Sequence, residues 1–366
     1  MSNCKVYIAD KIFTGEEWLT GHAIVIDGEI IKEVISQKDI PSGVTVNHFG
    51  SSIISPAFID LQIYGANGKL LSEYPATETL TDLNKYCRAG GAAYCMPTVA
   101  TNHYDVFKKA IDSIKDYWNQ RGKGVLGIHL EGPWINPVKR GAHIESLVRS
   151  PALDEVKEIL DYGKGVIKII TLAPEQCSNE VIDFILSNGI IISAGHSNAT
   201  YKNAKESFNR GVKAVTHLYN AMSPLQHREP GLAGAAMDDD KVMASIIPDG
   251  YHADYAAVRI AKAVMKERLF VITDAVTETS KGPYQHELAG DKYEATGILS
   301  GSALTMYKAM LNLVNHCSIE IGEAIRMCSL YPARLMGFDN ELGMIKKGYK
   351  AKLVCINQQK GSCFIL

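Results

Sequence analysis

Four side chains that could take part in metal-assisted hydrolysis each follow a short apolar run. Glu131 ends Gly-Ile-His-Leu-Glu, His196 follows Ile-Ile-Ser-Ala-Gly, His217 follows Ala-Val-Thr, and Asp274 follows Leu-Phe-Val-Ile-Thr. A carboxylate and two imidazoles are ligands that zinc and similar divalent ions accept. A bound metal makes a water molecule more acidic, and a neighbouring carboxylate can then take its proton. The pattern therefore predicts a metal held by Glu131, His196 and His217, with Asp274 as general base.

Two further features support a shared site for these residues. His217 follows His196 by about one strand-and-helix unit, and neighbouring strand ends of a barrel bring their side chains together. His143 follows the Lys-Arg-Gly-Ala stretch beyond the Glu131 run. An imidazole at that place could polarise a substrate carbonyl beside the metal, although a surface-loop histidine would look the same in sequence.

A long loop predicted after the sixth strand, at residues 216–235, holds candidates for binding an anion. Residues 216–235 contain Pro, Gly and Asn together with His227 and Arg228. Long loops in compact domains are commonly functional, and a guanidinium group can bind phosphate through paired hydrogen bonds. We expect His252, in Asp-Gly-Tyr-His, to reach a sugar hydroxyl or a phosphate. The alternative for each is a solvated basic side chain.

The elements that must position these residues are alternating strands and helices. Apolar runs end near residues 62, 98, 131, 172, 196, 217, 249 and 274. Amphipathic segments lie between most of them, at 78–89, 103–119, 152–161, 178–187, 200–210 and 253–266. Eight such units in about 250 residues predict an α/β fold of the (β/α)8 TIM-barrel type. A doubly wound parallel sheet would use the same alternation.

Short β-rich segments at the two ends of the chain predict a second, smaller domain. Asp27-Gly28 is a hairpin turn signal between two apolar runs, and Leu353–Ile356 is strand-like near the C-terminus. We expect a small β-sandwich domain built from residues 1–55 and 337–366. The catalytic barrel would then occupy residues 56–336.

Composition limits the classes of function. The 366-residue chain is 46% hydrophobic and 21% charged with a formal net charge of −2, which is typical of a globular enzyme. That charge argues against a nucleic-acid partner, and no apolar run reaches the roughly 20 residues that cross a membrane. The eight cysteines form no Cys-x-x-Cys pair. We expect reduced, buried thiols and a cytoplasmic location.

Several motifs together resemble the N-acetylglucosamine-6-phosphate deacetylases of the amidohydrolase superfamily. They include His-Leu-Glu-Gly-Pro (129–133), Lys-Arg-Gly-Ala-His (139–143), Thr-His-Leu-Tyr-Asn-Ala-Met-Ser-Pro (216–224), His-Arg-Glu-Pro-Gly (227–231) and Leu-Ser-Gly-Ser (299–302). The resemblance covers nearly the whole chain. It implies the barrel, the same metal set, Asp274 as general acid and base, and His143 as the carbonyl-polarising group.

The resemblance also implies a substrate, a cofactor and a partner subunit. Contacts with an amino-sugar phosphate are expected from Ala142, Asn220, Ala221, Arg228, His252, Leu299, Ser300 and Gly301. Arg228 would reach across the interface of a homodimer or of a dimer-based oligomer. One divalent ion per subunit is expected, with zinc favoured and iron, cobalt and manganese left open.

One departure from the superfamily bears on the number of ions. Many amidohydrolases carry His-x-His after the first strand and bind two metals, whereas this chain has Gln62 and Tyr64 there. Neither side chain is a good ligand for a divalent metal, which favours one ion. We expect Gln62 and His129 to lie beside the ligands, and the effect of Tyr64 on substrate fit stays open.

Three alternatives accompany this interpretation. The substrate could be another N-acetylhexosamine phosphate such as N-acetylgalactosamine 6-phosphate. It could also be a cyclic amide, although Arg228 favours a phosphorylated sugar. The third alternative, a sugar-phosphate binding protein without catalytic activity, is disfavoured because all three ligands and Asp274 are present.

Overall fold

The computed structural model describes residues 4–295 and 297–366. Their contacts divide the chain into two compact units. One runs up to Asp60 and adds Cys87–Tyr94 and Thr305–Leu366, and the other comprises Leu61–Tyr86 and Cys95–Leu304. The domain boundaries expected from the sequence, after residue 55 and before residue 337, stay a prediction.

A parallel eight-stranded sheet forms the barrel, counted over the described ranges. Its strands are β1 (Phe58–Ile63), β2 (Ala92–Ala100), β3 (Ile128–Glu131), β4 (Ile167–Leu172), β5 (Ile191–Ala194), β6 (Ala214–Val215), β7 (Met243–Ile246) and β8 (Leu269–Val271). Each strand pairs with the next in chain order. Nearly all of their residues are buried, as expected for parallel strands covered on both faces. The (β/α)8 barrel predicted from the sequence is therefore confirmed.

The helices between the strands agree closely with the amphipathic segments of the sequence. They span Thr77–Ala89, Tyr104–Asn119, Leu153–Tyr162, Asn179–Ser187, Tyr201–Arg210, Gly231–Asp238 and Tyr255–Met265. The expectation of one long loop from 216 to 235 was wrong in its last part, because the helix Gly231–Asp238 begins there. That helix is buried along most of its length and carries mostly small or apolar residues, so it lacks the polar face that marks a surface helix.

Hydrogen bonds at the seam of the barrel join β1 to the segment after β8. The Asp274 backbone N–H donates to the Gln62 carbonyl over 2.9 Å, and the Tyr64 N–H donates to the Ala275 carbonyl over 2.9 Å. A single parallel bridge links Ile63 with Ala275. The closure of the barrel thus places Gln62 and Tyr64 next to Asp274.

The first unit contains two small sheets. One joins Ile30–Ser36, His22–Asp27, Cys4–Ile8 and Thr45–His48, and the other joins Ser362–Ile365, Leu353–Asn357, Ile53–Pro56, Lys11–Phe13 and Trp18–Leu19. Apolar residues from both sheets share a core. The predicted pairing of N- and C-terminal β segments is confirmed, since Leu353–Asn357 pairs antiparallel with Ile53–Pro56. The helices Met306–Cys317, Ile321–Cys328 and Leu330–Leu335 also lie in this unit.

An antiparallel insertion follows β8 in the second unit. Its strands are Glu287–Ala289, Lys292–Ala295 and Ile298–Ser302. A two-stranded ribbon of Gly65–Ala66 and Lys69–Leu70 follows β1. Across the described residues, no helix is long and apolar enough to cross a membrane.

Candidate metal centre and active site

A cavity of about 370 Å³ lies beyond the C-terminal ends of the barrel strands. Its lining contains most of the residues singled out in the sequence: Glu131, Ala142, His143, His196, His217, Asn220, Ala221, His252, Asp274, Leu299, Ser300 and Gly301. The C-terminal face is where enzymes with this fold carry their active sites. The fold therefore brings these separated segments to one place.

The three expected ligands converge with the spacing that one metal ion requires. Glu131 Oε1 lies 3.3 Å from His196 Nε2 and 3.2 Å from His217 Nε2. The two Nε2 atoms are 3.1 Å apart. Tetrahedral ligands about 2.0–2.1 Å from a metal are separated from one another by about 3.3 Å. The residues present therefore fit a divalent ion.

The tautomer of His196 supports the same assignment. Its Nδ1 lies 2.9 Å from the Lys139 carbonyl oxygen, which can only accept a hydrogen bond. Nδ1 must then carry the proton, and the Nε2 lone pair of the neutral ring faces Glu131 and His217. A backbone carbonyl that orients an imidazole in this way is a common support of metal ligands. His217 Nδ1 is buried without a hydrogen-bond partner in the described part of the chain.

Unusual backbone conformations aim three of the key side chains. His196, His217 and Asp274 have φ angles of 46°, 33° and 53°. Residues other than glycine rarely adopt this left-handed region, at a cost of about 1–3 kcal/mol each. The strands β5, β6 and β8 end two or three residues before these positions. The chain thus turns sharply after each strand, and the side chain enters the cavity.

His143 has a different hydrogen-bond pattern from the other histidines. The Thr101 backbone N–H lies 3.3 Å from His143 Nδ1, and Thr101 Oγ1 lies 2.6 Å from it. An N–H group only donates, so Nδ1 accepts and the neutral ring carries its proton on Nε2.

Glycine is required at position 132, where φ is 80° and a Cβ would collide with Thr101 Oγ1.

His143 nevertheless lies within reach of an ion. The ligand atoms of Glu131, His143 and His196 all lie within 4.8 Å of one another. His143 Nε2 is 3.5 Å from Glu131 Oε2, the oxygen that faces away from His196 and His217. Burial and the neighbouring His196 lower the pKa of His143 to about 4. A neutral ring with a proton on Nε2 is suited to donate a hydrogen bond into the cavity.

The two buried carboxylates have opposite pKa shifts. Burial raises the pKa of Glu131, but hydrogen bonds with His143, His196 and His217 outweigh it and hold the value well below the ordinary one. Burial also raises the pKa of Asp274. The charge of His217 lowers this pKa and the charge of Glu131 raises it, and the net shift is upward. Glu131 is thus held as an anion, whereas Asp274 is the better proton acceptor.

Gln62 and Tyr64 connect these two carboxylates. Gln62 Nε2 donates to Asp274 Oδ1 over 2.6 Å and lies 3.1 Å from Glu131 Oε1. It also lies 2.9 Å from the Tyr64 hydroxyl. That hydroxyl donates to Glu131 Oε2 and lies 3.3 Å from Asp274 Oδ1. The His-x-His positions of related enzymes are occupied here by hydrogen-bond donors to carboxylates.

His129 lies on β3 with Glu131 but makes its hydrogen bonds inside the barrel. Its Nδ1 donates to the Leu61 carbonyl over 3.2 Å, and Nε2 lies 2.7 Å from Thr171 Oγ1. Thr171 Oγ1 continues the chain to Thr216 Oγ1 at 2.7 Å. Burial lowers the pKa of His129 to about 4. The ring is therefore neutral and belongs to a polar layer of the barrel interior.

The candidate phosphate-binding residues lie in different environments. The Nδ1 atom of His252 is 2.6 Å from Asp249 Oδ2, which leaves Nε2 as the ring nitrogen available to a ligand. Burial raises the pKa of Asp249, but hydrogen bonds from His252 outweigh this and lower it. His227 and Arg228 lie in the exposed stretch 224–229, and among the described residues they do not line the cavity.

Sequence reasoning missed two aromatic groups of the cavity wall. The Tyr284 hydroxyl donates to the Thr101 carbonyl over 2.6 Å. The ring of Tyr284 lies edge-on to the ring of His143, with the two ring centroids 6.4 Å apart. His286 Nδ1 lies 2.9 Å from Ser300 Oγ. Both side chains line the cavity. Neither follows an apolar strand, so the only signal was their position shortly before the Leu-Ser-Gly-Ser motif.

Comparison with known proteins identifies the class to which this site belongs. The model of the amidohydrolase family matches residues 53–362, and that of the NagA composite domain matches residues 2–50. The chain therefore belongs to the amidohydrolase family.

The relatives within the family are more specific. N-acetylglucosamine-6-phosphate deacetylase of Haemophilus influenzae is 35% identical over 93% of this chain and 92% of its own length. N-acetylgalactosamine-6-phosphate deacetylase of Escherichia coli O157:H7 is 30% identical over 95% of this chain and 94% of its own length. The structure of N-acetylglucosamine-6-phosphate deacetylase from Pasteurella multocida superposes with a TM-score of 0.93 at 32% identity, covering 99% of this chain and 97% of that chain.

Proposed function

We propose that the protein hydrolyses the acetamide of N-acetyl-D-glucosamine 6-phosphate to D-glucosamine 6-phosphate and acetate. The observation that carries the proposal is the convergence of Glu131, His196 and His217 beside Asp274 in one cavity. That arrangement has the parts of a metal-assisted hydrolase, and relatives that match along nearly the whole chain have this activity in their names.

The ligand set supports one divalent ion per subunit, for which zinc is our first choice. Such an ion, held by Glu131, His196 and His217, supplies Lewis-acid activation of water and of the amide carbonyl. Carboxylate and imidazole ligands also accept iron, cobalt and manganese. Donors from Gln62 and Tyr64 at the His-x-His positions favour one ion over two.

Asp274 moves the proton. In the first step its carboxylate accepts a proton from the attacking water, because the side chain lies in the cavity and burial raises its pKa. In the second step the protonated Asp274 donates to the amine nitrogen as the C–N bond breaks. The products are acetate and the free amine, and the carboxylate is restored.

His143 stabilises the charge that develops on the carbonyl oxygen. Its Nε2 carries a proton because Nδ1 accepts from the Thr101 backbone N–H. A hydrogen bond from this nitrogen strengthens as the oxygen becomes negative in the transition state. The same tautomer makes His143 a poor proton acceptor at Nε2, which separates its role from that of Asp274.

The sugar phosphate would occupy the rest of the cavity. We assign contacts with the sugar phosphate to the backbone around Leu299, Ser300 and Gly301, which line the cavity. The other expected contacts with the sugar phosphate are Ala142, Asn220, Ala221, His252 and Arg228. Arg228 is exposed in the single chain. For that reason we propose that it completes the site of a second subunit in a homodimer, and the cytoplasmic location stays a prediction.

One experiment separates this function from its alternatives. Acetate release is measured with the 6-phosphates of N-acetylglucosamine and N-acetylgalactosamine, with unphosphorylated N-acetylglucosamine and with a cyclic amide, on protein of known metal content. We expect the highest kcat/KM for N-acetylglucosamine 6-phosphate. The deacetylase relative that acts on the galactosamine epimer makes that sugar the second candidate. Absence of acetate release from every N-acetylated sugar would refute the proposal.

A further inference from the structure

The hydroxyl of Tyr64 accepts a hydrogen bond from Gln62 and donates one to Glu131. Gln62 Nε2 lies 2.9 Å away and donates to it. The hydroxyl in turn donates its proton to Glu131 Oε2, which is its closest acceptor. Gln62 also donates to Asp274 Oδ1 over 2.6 Å. Gln62 therefore donates both to Asp274 and to Tyr64, and Tyr64 donates in turn to Glu131, so hydrogen bonds connect the two carboxylates without a break.

This chain of hydrogen bonds gives the two oxygens of Glu131 different tasks. Oε1 faces His196 Nε2 at 3.3 Å and His217 Nε2 at 3.2 Å, where an ion would lie. Oε2 already accepts a hydrogen bond from the Tyr64 hydroxyl. Gln62 Nε2 also lies 3.1 Å from Oε1, but its two hydrogens go to the closer acceptors, Asp274 Oδ1 and the Tyr64 hydroxyl. The Tyr64 hydroxyl therefore engages Oε2 and leaves Oε1 to bind the ion.

We propose that Tyr64 is a positioning residue that keeps Glu131 a one-oxygen ligand and, through Gln62, holds Asp274 at a fixed distance from it. This inference rests on the proposed metal site and deepens it. The hydroxyl donates to Glu131 Oε2 and lies 3.3 Å from Asp274 Oδ1, and is therefore placed between the two carboxylates. A hydrogen-bond donor there lets both carboxylates stay side by side without a second ion.

The test measures the metal site directly, in full-length protein. Tyr64→Phe removes the hydroxyl and keeps the ring. Tyr284→Phe is the matched control, because it removes another cavity hydroxyl whose hydrogen bond, 2.6 Å long, goes to the Thr101 carbonyl and not to a carboxylate. Zinc affinity is determined by competition with a chromophoric chelator. The visible absorption of the cobalt-loaded protein reports the number of ligand atoms around the ion.

We expect Tyr64→Phe to bind zinc about 10- to 100-fold more weakly, as is typical when a group that orients a ligand is lost. Its cobalt spectrum should lose intensity, because a Glu131 carboxylate released from Tyr64 binds through both oxygens and raises the coordination number. Tyr284→Phe should match the wild type in both measurements. If Tyr64→Phe does not fold, Tyr64→Leu carries the same expectations.

Wild-type zinc affinity and an unchanged cobalt spectrum in Tyr64→Phe would overturn the inference. Equal changes in Tyr64→Phe and Tyr284→Phe would overturn it as well, since the effect would then be a general one on the cavity. These readouts do not depend on turnover. A wild-type protein that bound metal and released no acetate would therefore refute the proposed function and leave the role of Tyr64 to be judged by the same measurements.

Discussion

Replacing Asp274 by asparagine tests the assignment of the general base. Asp274 Oδ1 accepts from Gln62 Nε2 over 2.6 Å, and an amide oxygen at the same place can accept the same hydrogen bond. The side chain should therefore keep its position, and the proposed ligands Glu131, His196 and His217 are unchanged. What is lost is the capacity to take a proton from water and return it to the amine.

The expected loss follows from that single change. Positioned general acid–base groups contribute about 10²- to 10⁴-fold to rate, and each tenfold loss is about 1.4 kcal/mol of activation free energy. Asp274→Asn should therefore lower kcat by at least about 100-fold, or roughly 2.7 kcal/mol, with little change in KM or in bound metal. The measurements are a coupled acetate-release assay and metal analysis of the same preparation.

A matched control makes the same chemical change at Asp249, which contacts His252 of the cavity wall. Asp249 bonds to His252 Nδ1 over 2.6 Å, so Asp249→Asn should disturb the sugar-phosphate contact and raise KM more than it lowers kcat. Turnover of Asp274→Asn near the wild-type rate would refute the reasoning and require another base. Loss of the metal from Asp274→Asn would instead make this residue a ligand.

Three other variants test the remaining assignments. His143→Gln should lower kcat by about 10²- to 10³-fold with bound metal unchanged, because one donor to the developing oxyanion is lost; loss of metal would show that His143 is a ligand. Arg228→Ala should lower kcat/KM for N-acetylglucosamine 6-phosphate by about 30- to 1,000-fold and have much less effect on the unphosphorylated sugar, and equal losses would mean a structural role. The double change Gln62→His and Tyr64→His should raise the metal content measured by mass spectrometry from one equivalent towards two, since imidazoles two residues apart share one face of a strand; a constant content of one would contradict it.

The barrel could be predicted from the sequence because its signals are local. Continuous apolar runs such as Ile167–Leu172 indicate buried parallel strands, and amphipathic segments such as Tyr104–Asn119 indicate the covering helices. The proposed ligands could be found because each follows such a run. Strand ends were less accurate: β5 and β6 stop two residues before His196 and His217. Hydrophobic periodicity gives no signal for a residue with left-handed backbone conformation after a strand.

Other features of the site depend on contacts that periodicity cannot reveal. The proton position on His143 follows from its contact with the Thr101 backbone, 42 residues away in the chain. Tyr284 and His286 reach the cavity from a segment without a repeating pattern. Tyr64 was recognised as a departure from related enzymes, but its link to Glu131 arises only when the barrel closes. The proton position on His143, the place of Tyr284 and His286 in the cavity wall and the contact of Tyr64 with Glu131 all depend on burial and on residues distant in the sequence.

The antiparallel insertion after β8 lets the sugar-binding part of the cavity change in evolution independently of the hydrolytic centre. The proposed ligands His196 and His217 and the proposed base Asp274 lie in turns that follow strands β5, β6 and β8. Leu299, Ser300 and Gly301 come from the insertion, and Tyr284 and His286 lie just before its first strand. Mutations in this part of the chain can reshape the chamber that receives the sugar while the hydrolytic centre stays intact. A lineage could thereby acquire a new acylated substrate through changes in about twenty neighbouring residues.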